Sequence, residues 1–494
     1  MTDNIKLSFC RIKNFSLICI PMFLTNYRLG GMVLRKCFLV FTLIFIAHIT
    51  HAQRILTLRE AIDMAVANYP SIKAKQAYAQ ASKALVDESK REYLPNINFS
   101  AQQDYGTINN INSPAYGFNG LAVSSSGPTQ ETQNWNSAFG SLYLANVNWD
   151  FFSFGKAKEQ VKVAQTIANE SNKDYVQEIF EQKVKVAAAY LNLVAAHQLT
   201  FSYKKNLDRT DTVRELVLRR ALTGLVAGVD SSLADAEYSS AKISYVRAID
   251  AEEQQKHGLS LLLGVDTGAF EIDTSFVVKI PQIQNIDGSL DTANHPVLQY
   301  YKSRIAVSNE QAKYLKSQYF PTFTLVGVIQ TKGSGFGNDY SSNPNDFSHA
   351  YWDGANPSRG NYLLGVGVTW NITQPYRISK AVAAQRMMSE GLQQEYNLAS
   401  DEIKTQLKIA DDKMTNALTI YVEAPIQVKA ASNAYLQQSV LYKNGLTDMV
   451  NVTQASYDLI RAETDKDIAD NNVWQALLLK AAAVGNFDVF GSQL

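Results

Sequence analysis

The period of apolar and polar positions along this chain changes twice in the same way. Apolar residues recur at helical spacing from Leu56 to Tyr93, opened by Leu56-Thr57-Leu58-Arg59-Glu60-Ala61-Ile62, and predict a helix that stops at Leu94-Pro95. Asn294 to Phe320 predicts a second. Asn68-Tyr69-Pro70 matches Asn294-His295-Pro296, and 25 positions later Tyr93-Leu94-Pro95 matches Tyr319-Phe320-Pro321. After each second proline the period falls to two. Ile97, Phe99 and Ala101 alternate with Asn96, Asn98, Ser100 and Gln102, and Tyr143, Ala145, Val147 and Trp149 with Asn146, Asn148 and Asp150. The second copy sets Phe323, Leu325 and Ile329 against Thr322, Thr324 and Gln330. It then sets Tyr362, Leu364, Val366, Val368 and Trp370 against Gly365, Gly367, Thr369 and Asn371. Four strands of about 9 to 11 residues follow, each with one apolar and one polar or tiny face, and that length suffices for a tilted strand to cross a bilayer. A soluble sandwich with one wet face would alternate similarly. The connectors favour a barrel: Gly106–Ser137 and Thr331–Gly360 are long, aperiodic and rich in Asn, Ser and Gly, like the loops on one side of an outer-membrane barrel. Trp149 and Trp370, with Tyr93 and Tyr319 at the helix ends, are candidate membrane-interface aromatics.

Beyond Trp149 the helical period returns and runs from about Lys156 to Leu222 without Pro or Gly, roughly 100 Å at about 1.5 Å per residue. No ordinary globular core holds such a helix. A second pattern of similar span starts near Arg377 and contains Pro425, which is expected to kink or break it. Each long helix ends at a matched turn, Arg220-Ala221-Leu222-Thr223-Gly224-Leu225 or Leu441-Tyr442-Lys443-Asn444-Gly445-Leu446. From Gly224 to Gly264 and from Gly445 to Gly485 the chain takes 40 positions, a return helix closed by another glycine. The pattern predicts a duplicated, mostly α fold with β, in which long antiparallel coiled-coil hairpins are joined to four transmembrane strands. The repeats span 53–282 and 283–494, after a leader over 1–52.

That leader changes the charge picture. The 494 residues have 46 Lys+Arg and 46 Asp+Glu, but Lys6, Arg11, Lys13, Arg28, Arg35 and Lys36 face only Asp3 before residue 53, leaving 40 basic against 45 acidic residues beyond it. No basic footprint for nucleic acid remains. Met32-Val-Leu-Arg-Lys, the apolar run Cys37–Ile49 and the small Ala52 read as a signal peptide, with Met32 as the functional start and cleavage after Ala52. All three cysteines (Cys10, Cys19, Cys37) precede that point, so the processed chain has no thiol for a disulfide, metal or lipid. At 19% the charged fraction lies below the roughly 25% typical of soluble domains, and no apolar run after Ala52 reaches about 20 residues, so membrane insertion must use strands.

Candidate chemistry is sparse. His197, His257, His295 and His349 are scattered, without metal spacing and without an HExxH or GxSxG arrangement. Gly333-Ser334-Gly335-Phe336-Gly337 lacks the Lys-Ser/Thr and following helix of a phosphate loop. No catalytic, cofactor-binding or metal residue is assigned.

In ordered duplication these features resemble the TolC-like outer-membrane efflux protein family. The resemblance is carried by Leu94-Pro95 and Phe320-Pro321, and by the passages Val147-Asn148-Trp149-Asp150-Phe151-Phe152 and Val368-Thr369-Trp370-Asn371. The turn Tyr442–Gly445, followed by Asn451-Val452-Thr453-Gln454-Ala455, completes it. It implies a homotrimer in outer-membrane lipid, each protomer giving four strands to one 12-stranded barrel and its helices to a periplasmic tunnel. An adaptor would bind the Gly224 and Gly445 turns, and an inner-membrane pump would supply energy. Family acids six and nine positions past the second turn glycine correspond here to Asn451 and Gln454, so the entrance is expected to be less acidic. Asp230 and Asp448 are the nearest candidates for negative charge at the tip, and Tyr442 falls on a gate position. Asn96, Asn98, Asn146, Asn148, Thr322 and Thr369 would line a wet lumen. The implied function is a passive exit duct for small molecules. Type I protein or peptide secretion is the alternative within the family, and a secreted structural coiled coil the alternative outside it.

Overall fold

The structure, a computed structural model, describes residues 54–111, 127–265, 270–277, 279–281 and 294–494. The leader reading and the Ser124–Ser126 part of the first connector lie outside these residues. Ile55–Leu494 forms one compact unit.

It opens with a short strand β1 (Arg54–Leu56) and helix α1 (Leu58–Asn68). A capping box starts α1: Thr57 Oγ1 accepts from the Glu60 amide at 3.3 Å and Glu60 Oε2 from the Thr57 amide at 3.3 Å. The single helix expected over Leu56–Tyr93 is in fact a strand and two helices, since Tyr69 is extended (ψ 124°) and Pro70 begins α2 (Pro70–Arg91). A proline forces its predecessor out of the helical region and fits the first helical position, so Asn-x-Pro is a start signal. His295 (ψ 127°) and Pro296 do the same for α5 (Pro296–Ser317).

Strands β2 (Asn96–Gly106) and β3 (Ala138–Phe152) lead into α3 (Lys156–Leu222), and α4 (Gly228–Leu263) returns to β4 (Phe270–Ile272), which pairs with β1. The second repeat follows α5 with β5 (Thr322–Ser334), the short helix α6 (Tyr351–Ala355) and β6 (Arg359–Thr369). It then forms α7 (Gln374–Lys443), α8 (Met449–Val484) and a final turn α9 (Asp488–Gly491). α3 has the bounds its sequence predicts; α4 and α8 are both 36 residues and end at left-handed Gly264 and Gly485. α7 runs 70 residues without interruption through Pro425, contrary to expectation. Proline deletes one backbone donor, and the turns leading into it are packed where Ala417 and Ala424 are buried.

The main core forms a belt near the middle of α3. Val186, Tyr190, Leu191 and Val194 meet Leu58 and Ile62 of α1, Leu259 and Leu263 of α4, and Trp474 and Leu477 of α8. Tyr190, fully buried, donates to the Leu56 carbonyl at 2.6 Å and accepts from the Asp273 amide at 2.9 Å, fastening the β1–β4 ribbon to α3. His295 is also a packing residue. Its Nδ1 accepts from Val297 N at 3.2 Å and its Nε2 donates to Ala482 O at 3.1 Å, while burial holds its pKa below the usual imidazole value.

Candidate functional site

The two glycine turns close the 67-residue α3 and the 70-residue α7, so both lie about 100 Å along the helices from the sheet. They share one geometry. Gly224 and Gly445 have φ of 73°, and the following amides, Leu225 and Leu446, each donate at 2.9 Å to a carbonyl five residues back, Arg220 O and Leu441 O. That is a Schellman ending, and it leaves Leu225, Leu446, Val229 and Val450 exposed at matched positions of the two repeats.

The turns also touch each other. Tyr442 is only 4% exposed, packed with Val217, Ala234, Met449 and Val452, and its hydroxyl donates to Asp230 Oδ2 at 3.2 Å. Burial, then the Asp230 carboxylate, pushes the Tyr442 phenol up to about 12, so it remains a donor at neutral pH. Arg220 Nη1 caps the end of α7, donating to Tyr442 O at 2.9 Å and Lys443 O at 3.2 Å, with its guanidinium 5.6 Å from the Tyr442 ring. Asp448 differs from Asp230: exposed, it N-caps α8 by accepting from Asn451 N at 3.0 Å. Asn451 donates to Thr447 Oγ1 at 3.1 Å and Gln454 to Asp458 Oδ1 at 3.2 Å, each within its own segment.

At the other end, β2-β3-β5-β6 form an antiparallel sheet whose outer edges, on β2 and β6, have no partner strand among the described residues. β3 and β5, at 15 and 13 residues, exceed the expected length. The register gathers Ile97, Phe99, Tyr143, Ala145, Val147, Leu325, Ile329, Tyr362, Leu364 and Val366 on one face. Ile97, Phe99, Ile329, Tyr362, Leu364 and Val366 there are more than 60% exposed, a contiguous apolar patch of the kind that marks a membrane or protein contact. The opposite face has Asn96, Asn98, Asn146, Asn148, Thr322, Asn361 and Thr369, but also Leu142, Leu144, Val326, Val328 and Leu363. It is less polar than the alternation suggested. Trp149 Nε1 donates to Tyr93 O at 2.9 Å and Trp370 Nε1 to Tyr319 O at 3.1 Å, so the four aromatics picked from sequence form two matched pairs.

The matched repeats and the strand-to-helix continuity can be set against known proteins. The profile of the family described as "Outer membrane efflux protein" matches residues 61–265, within the first half of the chain's duplicated pattern. The solved structure of CusC, whose description concerns transmembrane channel formation, superposes with a TM-score of 0.71 over 87% of this chain and 92% of that one, at 13% identity. VceC, an outer membrane protein of Vibrio cholerae, gives 0.67 over 87% and 96% at 16% identity. The chain has the TolC-like outer-membrane efflux protein fold. Among curated relatives of this TolC-like chain, Protein CyaE of Bordetella pertussis is 23% identical over 211 residues, 43% of this chain and 40% of that relative. The chain thus aligns with about two-fifths of the length of that relative. The matched family is described as an outer membrane efflux protein, CusC in terms of a transmembrane channel and VceC as an outer membrane protein.

Sequence reading missed two parts of the TolC-like architecture. Arg220 aligns with Leu441 in the repeat, and that asymmetry was the available signal. At the sheet–helix junction Phe154, the one described non-glycine residue with positive φ (49°), stacks on Phe320 at 5.2 Å and lies 4.7 Å from Phe152. Among the described residues no three His, Cys, Asp or Glu side chains are placed to hold a metal, and no helix is long and apolar enough to cross a membrane.

Proposed function

We propose that the protein is the outer-membrane exit duct of a tripartite efflux system, a passive homotrimer that carries small molecules from an inner-membrane pump, through an adaptor, to the outside. One observation carries this reading: a four-stranded sheet with an exposed apolar face and two edges without a partner among the described residues runs directly into helices of 67 and 70 residues. Open edges in hydrocarbon cost several kcal/mol per unpaired group, and three copies would close twelve strands into a barrel. The helices also call for neighbours, because Met387, Met388, Leu398, Ile409, Ile420 and Leu436 of α7 stand exposed.

In this assembly the sheet sits in the outer membrane and the turns form the periplasmic tip. Leu225 with Leu446 and Val229 with Val450 give the adaptor a repeated apolar foothold. The Tyr442–Asp230 bond, backed by Arg220, braces the first hairpin against the second. Opening is an untwisting of the hairpins that breaks this brace, and adaptor contact biases the two states. With Asn451 and Gln454 beyond the second turn, the entrance holds less negative charge than a ring of acids would.

Deleting the gene and screening drug, dye and metal sensitivity alongside the secreted proteome tests the proposal. Increased sensitivity with an unchanged set of secreted proteins is the expected result. Loss of a secreted protein or peptide without a sensitivity change would assign the duct to type I secretion instead.

A further inference from the structure

The connector between β5 and β6 folds back over the sheet, and the face it covers is the apolar one. Gln103, Phe139, Ser141, Tyr143 and Gly333 share that face in the register. All five meet α6 or its flank. Tyr351 OH donates to Gln103 Oε1 at 2.5 Å, and its ring lies 5.2 Å from Phe139. Ser141 Oγ and Tyr143 OH reach the Ala355 carbonyl at 3.1 and 3.2 Å. The seat is close-fitting: a Cβ on Gly354 would stand 2.0 Å from Phe139 O, and one on Gly333 would stand 2.4 Å from Asn356 O. α6 thereby buries the polar Ser141 and turns Trp352 (67% exposed) and Tyr351 outward.

The height of this seat matters. Along β3, Ser141 and Phe139 lie eight and ten residues from Trp149. At about 3.4 Å per residue and a strand tilt near 40°, that is a rise of about 21 to 26 Å, close to the roughly 25 Å apolar band of an outer-membrane barrel. Trp149 and Trp370 mark one border of the band, and Trp352 stands at the other. Amphipathic rings prefer that border because the ring leaves water while its polar edge stays hydrated.

Resting on the barrel reading above, we propose that α6 is an external membrane anchor: it lies on the lipid side of the barrel's outer rim and sets Tyr351 and Trp352 into the headgroup layer of the outer leaflet. The rim then has its own aromatic girdle, made by a loop helix rather than by strand residues, and the β5–β6 connector is held off the channel mouth.

Nitroxide labels on the full processed chain in lipid bilayers test this, since the three native cysteines all precede residue 53. Label sites are Trp352→Cys, Ala350→Cys, which keeps Trp352, Leu364→Cys at mid-face and Ser341→Cys in the exposed part of the loop. Collision rates with oxygen, enriched in lipid, and with a water-soluble nickel chelate are compared. The expected order of oxygen preference is Leu364→Cys, then Trp352→Cys and Ala350→Cys, then Ser341→Cys. Labels at 350 and 352 matching Ser341→Cys, while Leu364→Cys favours oxygen, would overturn the anchor and leave the barrel standing. Poor access to both reagents would mean that protein covers α6, and would overturn it too. A nickel-accessible Leu364→Cys would remove the barrel reading and the anchor together.

Discussion

Replacing Tyr442 by Phe removes one hydroxyl and keeps the buried ring, its packing on Val217 and Val452, and the Arg220 contact. What is lost is the 3.2 Å bond to Asp230, one of the ties, with those of Arg220, between the tip of the first hairpin and the second turn. A hydrogen bond to a charged acceptor contributes about 1.5–3 kcal/mol when buried, but Asp230 is partly exposed and water can replace the phenol, so about 1 kcal/mol per protomer is the appropriate estimate. Three protomers opening together would lose about 3 kcal/mol of closed-state preference, a shift on the order of a hundredfold in the opening equilibrium. Single-channel recording in planar bilayers reads this directly. Tyr442→Phe and Asp230→Asn should each raise open probability, whereas Asp448→Asn should not, because Asp448 caps its own helix. Wild-type open probability and conductance in both Tyr442→Phe and Asp230→Asn would refute the brace.

Two further outcomes follow from local geometry. His197 Nδ1 lies 2.7 Å from Glu252 Oε1; the pairing raises the His197 pKa above 6.5 and lowers that of Glu252 below 4.5. The histidine share of this stability is complete below about 6.5 and lost as pH rises through the raised value; the glutamate share is present above about 4.5 and lost as pH falls through the lowered one. With His197 half exposed, the gap in urea midpoint between wild type and His197→Gln should correspond to at most about 1 kcal/mol, widest between about pH 4.5 and 6.5 and closed in alkali. A gap independent of pH would disprove the ion pair. Among the turn glycines, Gly485→Ala should cost more than Gly224→Ala. Both have positive φ, about 1–2 kcal/mol of strain, but a Cβ at Gly485 would stand 2.5 Å from His295 Cδ2, adding about 1–3 kcal/mol, while Gly224 faces open space. Equal melting temperatures in detergent would contradict this.

The sequence by itself determined whatever depends on near neighbours. Glycines next to each end set the bounds of α3, Lys156–Leu222, prolines placed the helix-to-strand changes, and period-two alternation placed four strands and gathered their apolar residues on one face. Repetition of these signals gave the duplicated fold and the paired turns. Pro425 misled as a local rule: it removes one hydrogen bond from a helix whose preceding turns are packed at Ala417 and Ala424, and α7 continues. Tertiary structure alone decided which distant groups meet. Tyr442 and Asp230 are 212 positions apart, Arg220 and Tyr442 222, and Tyr351 and Gln103 248. No spacing rule encodes such pairs. They follow from the mutual rotation of the hairpins and the return of the β5–β6 connector over the sheet, and both are fixed by close packing of side chains far apart in sequence.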